Sequence, residues 1–454
     1  MHFELSKKYI DDLKKIISDH DEDAAVMLME ELHAADIAEI YDELNVDEAR
    51  FLYLLLDGDK AGDVLAELED DDRELFMKSL PSDVIARKFI DYMDSDDAAD
   101  VIADLPDDRQ EEVLSHIDDL EQAGDIVDLL KYNEDTAGGL MAKELISVKE
   151  SWDVEKCIAE IRKIADEIDE IYYVYVVNED NILKGILSLK RLIIAGSKKK
   201  VKDISKEDII SVKVDVEEEE VVNIARKYDL VALPVIDSIG RLVGRITIDD
   251  IVDVMQEEAE KDYQMVSGIT EDVEPSDKIW VLTRARIPWL LIGLVGGIFG
   301  AQVISSYEGA LAEYASMAFF IPLIAAMGGN VGVQSSSIIV QALASNSAGF
   351  DSLFKRLLKE LAVALLNAVI LASLIFLFSY FFYDSMALTI SVSGALVIVV
   401  VFASVFGTFV PLALNRFNID PALATGPFIT TVNDITGLFI YLSLAHYTFS
   451  NLAG

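Results

Sequence analysis

Residues 427–441 read PFITTVNDITGLFIY, and they place the carboxylate of Asp434 inside an apolar stretch long enough to cross a membrane. A charged side chain at the centre of a bilayer costs about 2.5–3.5 kcal/mol on insertion scales. No Lys or Arg lies in the apolar stretches to pair with it. We expect a bound metal ion to offset the charge, with Thr430 and Asn433 as neighbouring ligands. A protonated Asp434, hydrogen-bonded to another helix, is the alternative.

The C-terminal part of the chain contains five such apolar stretches. Crossing the hydrocarbon layer takes about 20 helical residues. The stretches are 287–306, 315–344, 361–383, 386–414 and 421–447, and Asp434 is the only Asp, Glu, Lys or Arg inside them. Buried helices of a soluble protein would not be so long and so free of charge. The sequence predicts an all-α transmembrane bundle of five helices within a membrane domain spanning residues 276–454.

The loop charges indicate how the bundle is oriented. Basic residues precede the first span (278–286), separate the second from the third (355–359) and precede the fifth (Arg416). Cytoplasmic loops carry an excess of Lys and Arg. The first ten residues, MHFELSKKYI, lack the apolar core of a signal peptide. We expect a multi-pass protein of the cell (inner or plasma) membrane, with its N-terminus in the cytoplasm and its C-terminus outside.

Span two is rich in small and polar residues, reading IPLIAAMGGNVGVQSSS over 321–337. Such residues at membrane depth predict an interrupted helix that faces protein or water. Tight helix packing is the alternative explanation. The predicted pore-lining residues are Gly328, Gly329, Asn330 and Gln334 here, with Gly426 and Pro427 at the start of span five.

The available ligands favour a hard divalent cation. The chain has one Cys and five His, so thiolate or imidazole ligation of a transition metal is unfavourable. Mg²⁺ keeps several waters and is often bound through one or two carboxylates, whereas Ca²⁺ takes six to eight oxygens. No phosphate-binding P-loop motif is present. We therefore expect passive influx, driven by the membrane potential.

The residues before the membrane block are strongly acidic. Residues 287–454 hold only seven of the 81 Asp and Glu and four of the 38 Lys and Arg, in a chain of net charge −43. An acidic surface attracts cations and repels nucleic acid, although solubility alone also explains one. Residues 1–135 repeat a small-Asp-apolar unit, which predicts an acidic domain of short helices stacked as a solenoid. We expect an N-cap at the Asp of each unit: Asp36, Asp63, Asp83, Asp100 and Asp125.

Two similar α/β units follow, over 136–200 and 201–258. Their hairpins read IYYVYVVNEDNILKGILSLKRL (171–192) and LVALPVIDSIGRLVGRITIDDIVD (230–253), and the pattern resembles tandem CBS domains. The nucleotide signature of CBS domains, Ser/Thr-x-x-Asp, is present as Thr247 and Asp250. In the first unit Ser188 is followed by Arg191 in place of the acid. The resemblance implies binding of ATP or another adenine nucleotide at Thr247 and Asp250.

An acidic helix is predicted over 249–275, linking the second unit to the membrane. Asp250, Asp253 and Glu257 fall on one stripe of this helix. A solvated linker is the ordinary explanation for such a stripe. Below a cation pore we favour a sensor or plug.

The order of these domains, with PLIAAMGGNVGVQS (322–335) and DPALATGPFITTVNDITG (420–437), resembles the MgtE family of Mg²⁺ channels. The resemblance implies a homodimer in the lipid bilayer, with Asp434 and the Thr430 region as the pore Mg²⁺ site. It also implies regulatory Mg²⁺ sites at Asp97, Asp100, Glu217, Glu219, Asp229, Asp250, Asp253, Glu258, Asp262 and Asp420. Where the family often has Asn, this chain has Gly426, and Lys261 replaces one regulatory acid.

These positions suggest feedback by internal Mg²⁺. Bound ions would neutralise facing carboxylates and hold the linking helices against the pore, whereas repulsion between the acids would open it. A transporter for Co²⁺ or an osmolyte, or a membrane sensor, remains open as an alternative. A membrane enzyme is not expected, because no nucleophile–base pair is found in the sequence.

Overall fold

The computed structural model describes residues 5–164, 171–270, 273, 278–344, 353–417, 419–424 and 426–452. The chain divides into two compact units, Met1–Gln256 and Glu257–Gly454. The C-terminal end of the predicted linking helix, at residues 271, 272, 274 and 275, lies outside the described residues.

The first unit begins with short helices whose apolar faces share one core. Alternate helices pack together, α3 on α5, α7 on α9 and α8 on α10, as in a solenoid. Two 3₁₀ turns, Tyr41–Glu43 and Ile90–Tyr92, join them. The helices are α1 Lys7–Ser18, α2 Glu22–Met29, α3 Ala34–Ala38, α4 Val46–Tyr53, α5 Gly58–Ala66, α6 Asp70–Lys78, α7 Ser82–Lys88, α8 Ser95–Ala103, α9 Asp107–Leu114 and α10 Leu120–Leu129.

The predicted N-caps are wrong. Asp63, Asp100 and Asp125 lie inside α5, α8 and α10, and Asp36 and Asp83 lie in the first turns of α3 and α7. Helices α3, α5 and α10 begin earlier because an upstream side chain caps each of them. The side chain of Asp57 accepts a hydrogen bond from the Lys60 amide, and that of Asp119 accepts one from the Glu121 amide.

Two three-stranded sheets complete the first unit. The elements of the first are β1 Ile146–Lys149, α11 Val154–Ile164, β2 Val174–Val177, β3 Leu183–Leu187 and α12 Leu189–Ile194. Those of the second are β4 Val212–Lys213, α13 Glu218–Tyr228, β5 Ala232–Ile236, β6 Leu242–Thr247 and α14 Ile248–Ser267. In each sheet the central strand pairs in parallel with the first strand and antiparallel with the third. A 3₁₀ turn, Val201–Asp203, lies between them.

The second unit contains five helices long and apolar enough to cross a membrane, which confirms the predicted number among the described residues. Its elements are α15 Ile279–Ser306, α16 Glu308–Glu313, a 3₁₀ helix Ala315–Phe320, α17 Ile321–Ala344, α18 Leu353–Phe382, α19 Met386–Arg416, a 3₁₀ turn Pro421–Ala424 and α20 Pro427–Leu452. Helix α19 is the most buried of the five and packs against α17, α18 and α20, while α15 packs on α20.

The membrane helices differ from prediction in two respects. Helix α17 is continuous, so the interruption predicted at its Gly-Gly-Asn sequence is wrong, and the glycines serve close packing instead. Helix α18 begins eight residues before the predicted span, so Lys355, Arg356, Lys359 and Glu360 lie within its first turns. Hydropathy alone excluded those residues, whereas helix propensity extends the helix through them.

Candidate functional site

A cavity of about 280 Å³ lies between α17 and α20 and contains the carboxylate of Asp434. Its lining from α17 follows a spacing of three to four residues, so that one face of the helix forms the wall. The lining residues are Ala325, Ala326, Gly329, Asn330, Val333, Gln334, Thr430 and Asp434. The structure thus brings together five of the predicted pore residues. Extending the helical period from Gly329 would have identified Ala325, Ala326 and Val333 from the sequence.

Thr430 and Asp434 share a face of α20, because residues four apart lie one helical turn apart. The Thr430 hydroxyl donates to the Gly426 carbonyl oxygen at 3.0 Å, which leaves its oxygen lone pairs available. On the opposite wall, a Cβ atom added to Gly329 would lie 3.0 Å from Thr430 Cγ2 and 3.3 Å from Asp434 Oδ1. Glycine therefore keeps the cavity open beside the carboxylate.

Two predicted pore residues of α17 and α20 do not line this cavity. Asn433 is buried, and neither polar atom of its side chain has a hydrogen-bond partner within the described part of the chain. A Cβ atom on Gly332 would lie 1.9 Å from Asn433 Nδ2, so the amide packs tightly on that glycine. Gly328 also packs away from the cavity, with its Cβ position 3.2 Å from Val399 Cγ1.

Gly426 and Pro427 contact the end of the linking helix. Gly426 adopts a φ of +54°, and a Cβ atom there would lie 2.5 Å from the Val266 carbonyl oxygen. Gly268, with a φ of +85°, would place a Cβ atom 2.8 Å from Pro427 Cγ. Side chains are strained at such positive φ values, so glycine permits both contacts. The C-terminal end of α14 therefore packs against the start of α20.

Oxygen atoms dominate the polar lining of the cavity. An ion in the cavity can be approached by the carboxylate of Asp434, the hydroxyl of Thr430 and the side-chain amides of Asn330 and Gln334. A single carboxylate cannot complete an inner ligand shell, so a cation here would retain water. That condition suits a small, strongly hydrated divalent ion.

A second group of acids lies in the first unit, where α8 faces the start of α14. Burial, and then the neighbouring Asp250, raises the pKa of Asp97 to about 7. Burial, and then Asp97, raises the pKa of Asp100 to about 7. Burial also raises the pKa of Asp250, against the effect of the hydrogen bond from the Thr247 amide. These carboxylates repel one another and would be stabilised by a cation.

The structure adds acids outside the predicted ligand set, although the run of acids over 94–107 already places Asp96 beside the predicted Asp97. Asp94, Asp96 and Glu144 each place a carboxylate oxygen within 4.8 Å of the others. Burial, and then Asp253, raises the pKa of Glu67 on the neighbouring segment. Asp94 and Asp96 adjoin the predicted Asp97. Glu67 and Glu144 are distant in sequence, so no local pattern could have identified them.

The predicted regulatory acids of α13 lie apart in a single chain. Glu217 and Glu219 stand at the start of α13, whereas Asp229 ends it with a left-handed φ of +51°. An α-helix rises 1.5 Å per residue, so the two ends of this 11-residue helix lie roughly 16 Å apart.

The remaining predicted regulatory acids lie on α14 and just before α20. Glu258 pairs with Lys261 at 3.3 Å. Asp262 lies one turn after Glu258 on α14, and Asp420 accepts a hydrogen bond from the Ala422 amide at 2.8 Å.

The predicted nucleotide residues bond to each other. Asp250 Oδ2 accepts a hydrogen bond from the amide of Thr247 at 2.7 Å and lies 2.9 Å from its hydroxyl, which donates to the nearer Asp249 Oδ1. In the first α/β unit, Arg191 donates to the Ile204 carbonyl oxygen at 3.0 Å. A cavity of about 660 Å³ lies instead near the tips of the two hairpins, where Lys184 and Lys202 are among its lining residues. Thr247 and Asp250 do not line it.

Comparison with known families divides the chain into three regions. Residues 321–444 match the model of a divalent cation transporter family, MgtE. Residues 32–135 match the MgtE intracellular N domain. Residues 137–198 and 201–257 each match the CBS domain.

Similar proteins cover from about half to nearly all of the chain. The magnesium transporter MgtE of Thermus thermophilus is 33% identical over 448 residues, which are 97% of this chain and 98% of that protein. The magnesium transporter MgtE of Enterococcus faecalis is 34% identical over 325 residues, 72% of each chain. Among solved structures, the cytosolic domain of the Mg²⁺ channel MgtE in complex with ATP aligns with a TM-score of 0.51 and 33% identity. It covers 54% of this chain and 99% of that one.

Proposed function

The chain belongs to the MgtE family of magnesium transporters, and from that premise we propose that it conducts Mg²⁺ passively into the cell through the Asp434 cavity. One observation carries the proposal: the Asp434 carboxylate lies in a cavity lined by polar groups of two membrane helices, α17 and α20. The substrate is a metal ion, and the chain is a transporter and not an enzyme. Asn433, behind the lining, supports the wall instead of binding the ion directly.

Passive movement needs no chemical energy source. A charge crossing a potential of 100 mV changes its free energy by about 2.3 kcal/mol, so a divalent ion gains roughly twice that on entry. A partly hydrated Mg²⁺ fits a cavity with one carboxylate, because the remaining ligands are waters that the ion releases reluctantly. A Co²⁺ transporter of the same build is disfavoured by the lack of nitrogen or sulfur ligands in the described lining.

We propose that the protein acts as a homodimer, with each subunit contributing one Asp434. A single carboxylate per chain is the motivation, since two copies facing one axis would double the charge around the ion. The N-terminal domains are cytosolic in this proposal, by analogy with the cytosolic domain of the solved relative. Five spans then put the C-terminus outside.

Internal Mg²⁺ closes the channel in this proposal. Asp97 faces Asp250, and Asp100 lies one helical turn after Asp97. Burial, and then these neighbouring charges, raise the pKa values of Asp97 and Asp100, and a bound cation would relieve the repulsion. Asp250 begins α14, and the other end of that helix contacts Gly426 and Pro427 at the start of the pore helix α20. Glu258 and Asp262 supply further acids on the second half of α14, and Asp420 precedes α20 in the chain. The two ends of α13 are too far apart for Glu217, Glu219 and Asp229 to bind one ion together. Each end would bind an ion with groups from other elements or from the second subunit.

We also propose that the CBS pair binds an adenine nucleotide through Thr247 and Asp250. The relative crystallised with ATP supports this ligand. The bonds between Thr247 and Asp250 leave the second carboxylate oxygen of Asp250 for a ribose hydroxyl. Because Asp250 also belongs to the regulatory acids, nucleotide and Mg²⁺ would influence each other's binding.

Flux into liposomes tests passive conduction. Purified protein is reconstituted with a lumenal Mg²⁺ indicator, and a K⁺ gradient with valinomycin sets the potential. We expect Mg²⁺ entry without ATP, accelerated by a negative interior and slowed by a positive one. Entry that requires ATP, or that ignores the potential, would contradict the proposal.

A further inference from the structure

Glu360 is an acidic residue of the membrane unit that does not line the cavity. Its Oε1 atom accepts a hydrogen bond from Ser335 Oγ of α17 at 2.7 Å and a second from Ser404 Oγ of α19. The two serine oxygens lie 2.9 Å apart. Ser335 is 5% exposed and Ser404 is 3% exposed, so the carboxylate joins α17, α18 and α19 inside the bundle.

This contact adjoins the wall of the cavity. Gln334 lines the cavity, and Ser335 follows it on α17 with its side chain turned about 100° away, toward α19. One turn earlier, α17 and α19 touch through their backbones, since a Cβ atom on Gly407 would lie 2.3 Å from the Gly332 carbonyl oxygen. Helix α17 is therefore fixed against α19 on one side while it forms the cavity wall on the other.

The bonding pattern requires an acceptor at position 360. Each serine hydroxyl has one proton to donate, and both protons are directed at the same carboxylate oxygen. Without Glu360, one hydroxyl could donate to the other, but the remaining proton would lack this acceptor in a water-poor interior. Buried hydroxyls without partners are unfavourable, so the two helices would shift to satisfy them.

We propose that Glu360 is a positioning residue that holds the α17 wall of the cavity, and with it Asn330 and Gln334, at the width that favours a small hydrated cation. The inference rests on the proposed role of the Asp434 cavity. Glu360 acts through the two serines, so its contribution is a hydrogen-bond acceptor and not a negative charge. An amide oxygen at this position can accept the same bonds.

The test compares Glu360→Gln with Glu360→Leu in the full-length protein in liposomes, measuring Mg²⁺ and Ca²⁺ entry. We expect Glu360→Gln to stay within about twofold of wild type for Mg²⁺ entry, because both serine bonds persist. Glu360→Leu should lower Mg²⁺ entry by roughly tenfold and the Mg²⁺-to-Ca²⁺ ratio by roughly fivefold. Ser373→Ala on the same helix is the control, because Ser373 donates to the Val369 carbonyl oxygen of its own helix. It should match wild type.

Loss of entry in Glu360→Gln equal to that in Glu360→Leu would overturn the proposal, because the charge itself would then be needed. An unchanged ion ratio in Glu360→Leu would overturn it as well. If Glu360→Leu fails to fold, the double variant Ser335→Ala/Ser404→Ala replaces it, because it removes both donors with little change in volume. This double variant should lower the Mg²⁺-to-Ca²⁺ ratio. An unchanged ratio in it overturns the proposal. Asp434→Ala, measured in parallel, tests the proposed pore independently of Glu360. Conduction by Asp434→Ala would reject the proposed pore, whereas the comparison of the Glu360 variants would still show whether position 360 needs an acceptor or a charge.

Discussion

Single residues determine how much space lies beside Asp434. Gly329 faces Asp434 and Thr430 across the cavity, where even a methyl group would touch both side chains. Adjacent residues on a helix point about 100° apart, which explains why Asn433 is buried while Asp434 lines the cavity. The sequence contains part of that information, since neighbours on α20 point in different directions, although on α17 the adjacent Gly329 and Asn330 both line the cavity. What it lacks is the identity of the facing helix, and so the contact between Asn433 and Gly332 was unforeseeable.

Replacing Gly329 with Ala should reduce Mg²⁺ entry by roughly fivefold or more, because the added Cβ narrows the cavity where contacts are already close. The amount of folded protein should change little, since Thr430 Cγ2 at 3.0 Å can yield slightly. Gly297→Ala is the matched control, because a Cβ atom there meets no atom within 4 Å. Flux in liposomes makes the comparison, and equal rates for the two variants would argue against a conducting cavity.

At the scale of elements, the contact of α17 with α19 shows what a hydropathy profile omits. The glycines of span two predicted an interrupted helix, yet α17 is continuous and uses Gly332 to approach α19 at Gly407. Glu360 was missed for a related reason. It lies at the edge of the apolar stretch, and only the packing of three helices shows that Ser335 and Ser404 bond to it.

Gly407→Ala should destabilise the membrane unit by about 1–3 kcal/mol, since the new Cβ would overlap a backbone oxygen that cannot move alone. Thermal unfolding of the purified protein in detergent measures this as a lower Tm. At Gly394, a Cβ atom would meet only the flexible Leu444 Cδ2 at 3.3 Å, so Gly394→Ala serves as the control. A Tm for Gly407→Ala at or above that of the control would contradict the close backbone contact of α17 with α19.

The contact of α8 with α14 should depend on pH. The pKa values of Asp97 and Asp100 are raised from 3.8 to about 7, chiefly because the surrounding protein desolvates the two carboxyl groups, although each residue keeps more than a third of its surface exposed. A raised carboxyl pKa means that ionisation disfavours the packed form, so the contact is most stable in acid and weakens as the pH rises from about 4 to about 7. Mg²⁺ should restore it above pH 7 and have little effect at pH 5.

Hydrogen exchange of α8 amides in the full-length protein measures this dependence. Protection should fall with rising pH in the absence of Mg²⁺, after correction for the intrinsic exchange rate. The double variant Asp97→Asn/Asp100→Asn should flatten both the pH and the Mg²⁺ dependence. Protection in the wild type that is insensitive to both variables would rule out these carboxylates as the cation-responsive group.

For the whole molecule, composition predicted the division into an acidic unit and a membrane unit. The concentration of acids in the first unit and of apolar residues in the second is visible in the chain itself, and the number of membrane helices followed from length and charge. The sequence alone predicted only some of the acids that the fold brings together. Asp97 and Asp100 were identified as ligands through a family resemblance, and Asp250 also through the acidic stripe of its helix. Glu67 and Glu144 come from separate segments that only the fold brings to the cluster.

Removing residues 1–262 should yield a channel that ignores internal Mg²⁺. The deletion takes away the acids of the first unit and most of α14, while the Asp434 cavity lies entirely in the second unit. Mg²⁺ entry should persist, and raising Mg²⁺ on the cytoplasmic side should no longer slow it. Inhibition by internal Mg²⁺ at wild-type concentrations in this variant would refute feedback through the acidic domains.

The most direct test of the whole account is Mg²⁺ flux through Asp434→Ala in liposomes, beside wild type and Asp384→Ala. Asp384 is an exposed acid between α18 and α19, so its replacement removes the same charge away from the cavity. We predict that Asp434→Ala abolishes Mg²⁺ entry while Asp384→Ala conducts like wild type. Wild-type entry through folded Asp434→Ala would contradict the claim that this carboxylate forms the ion path.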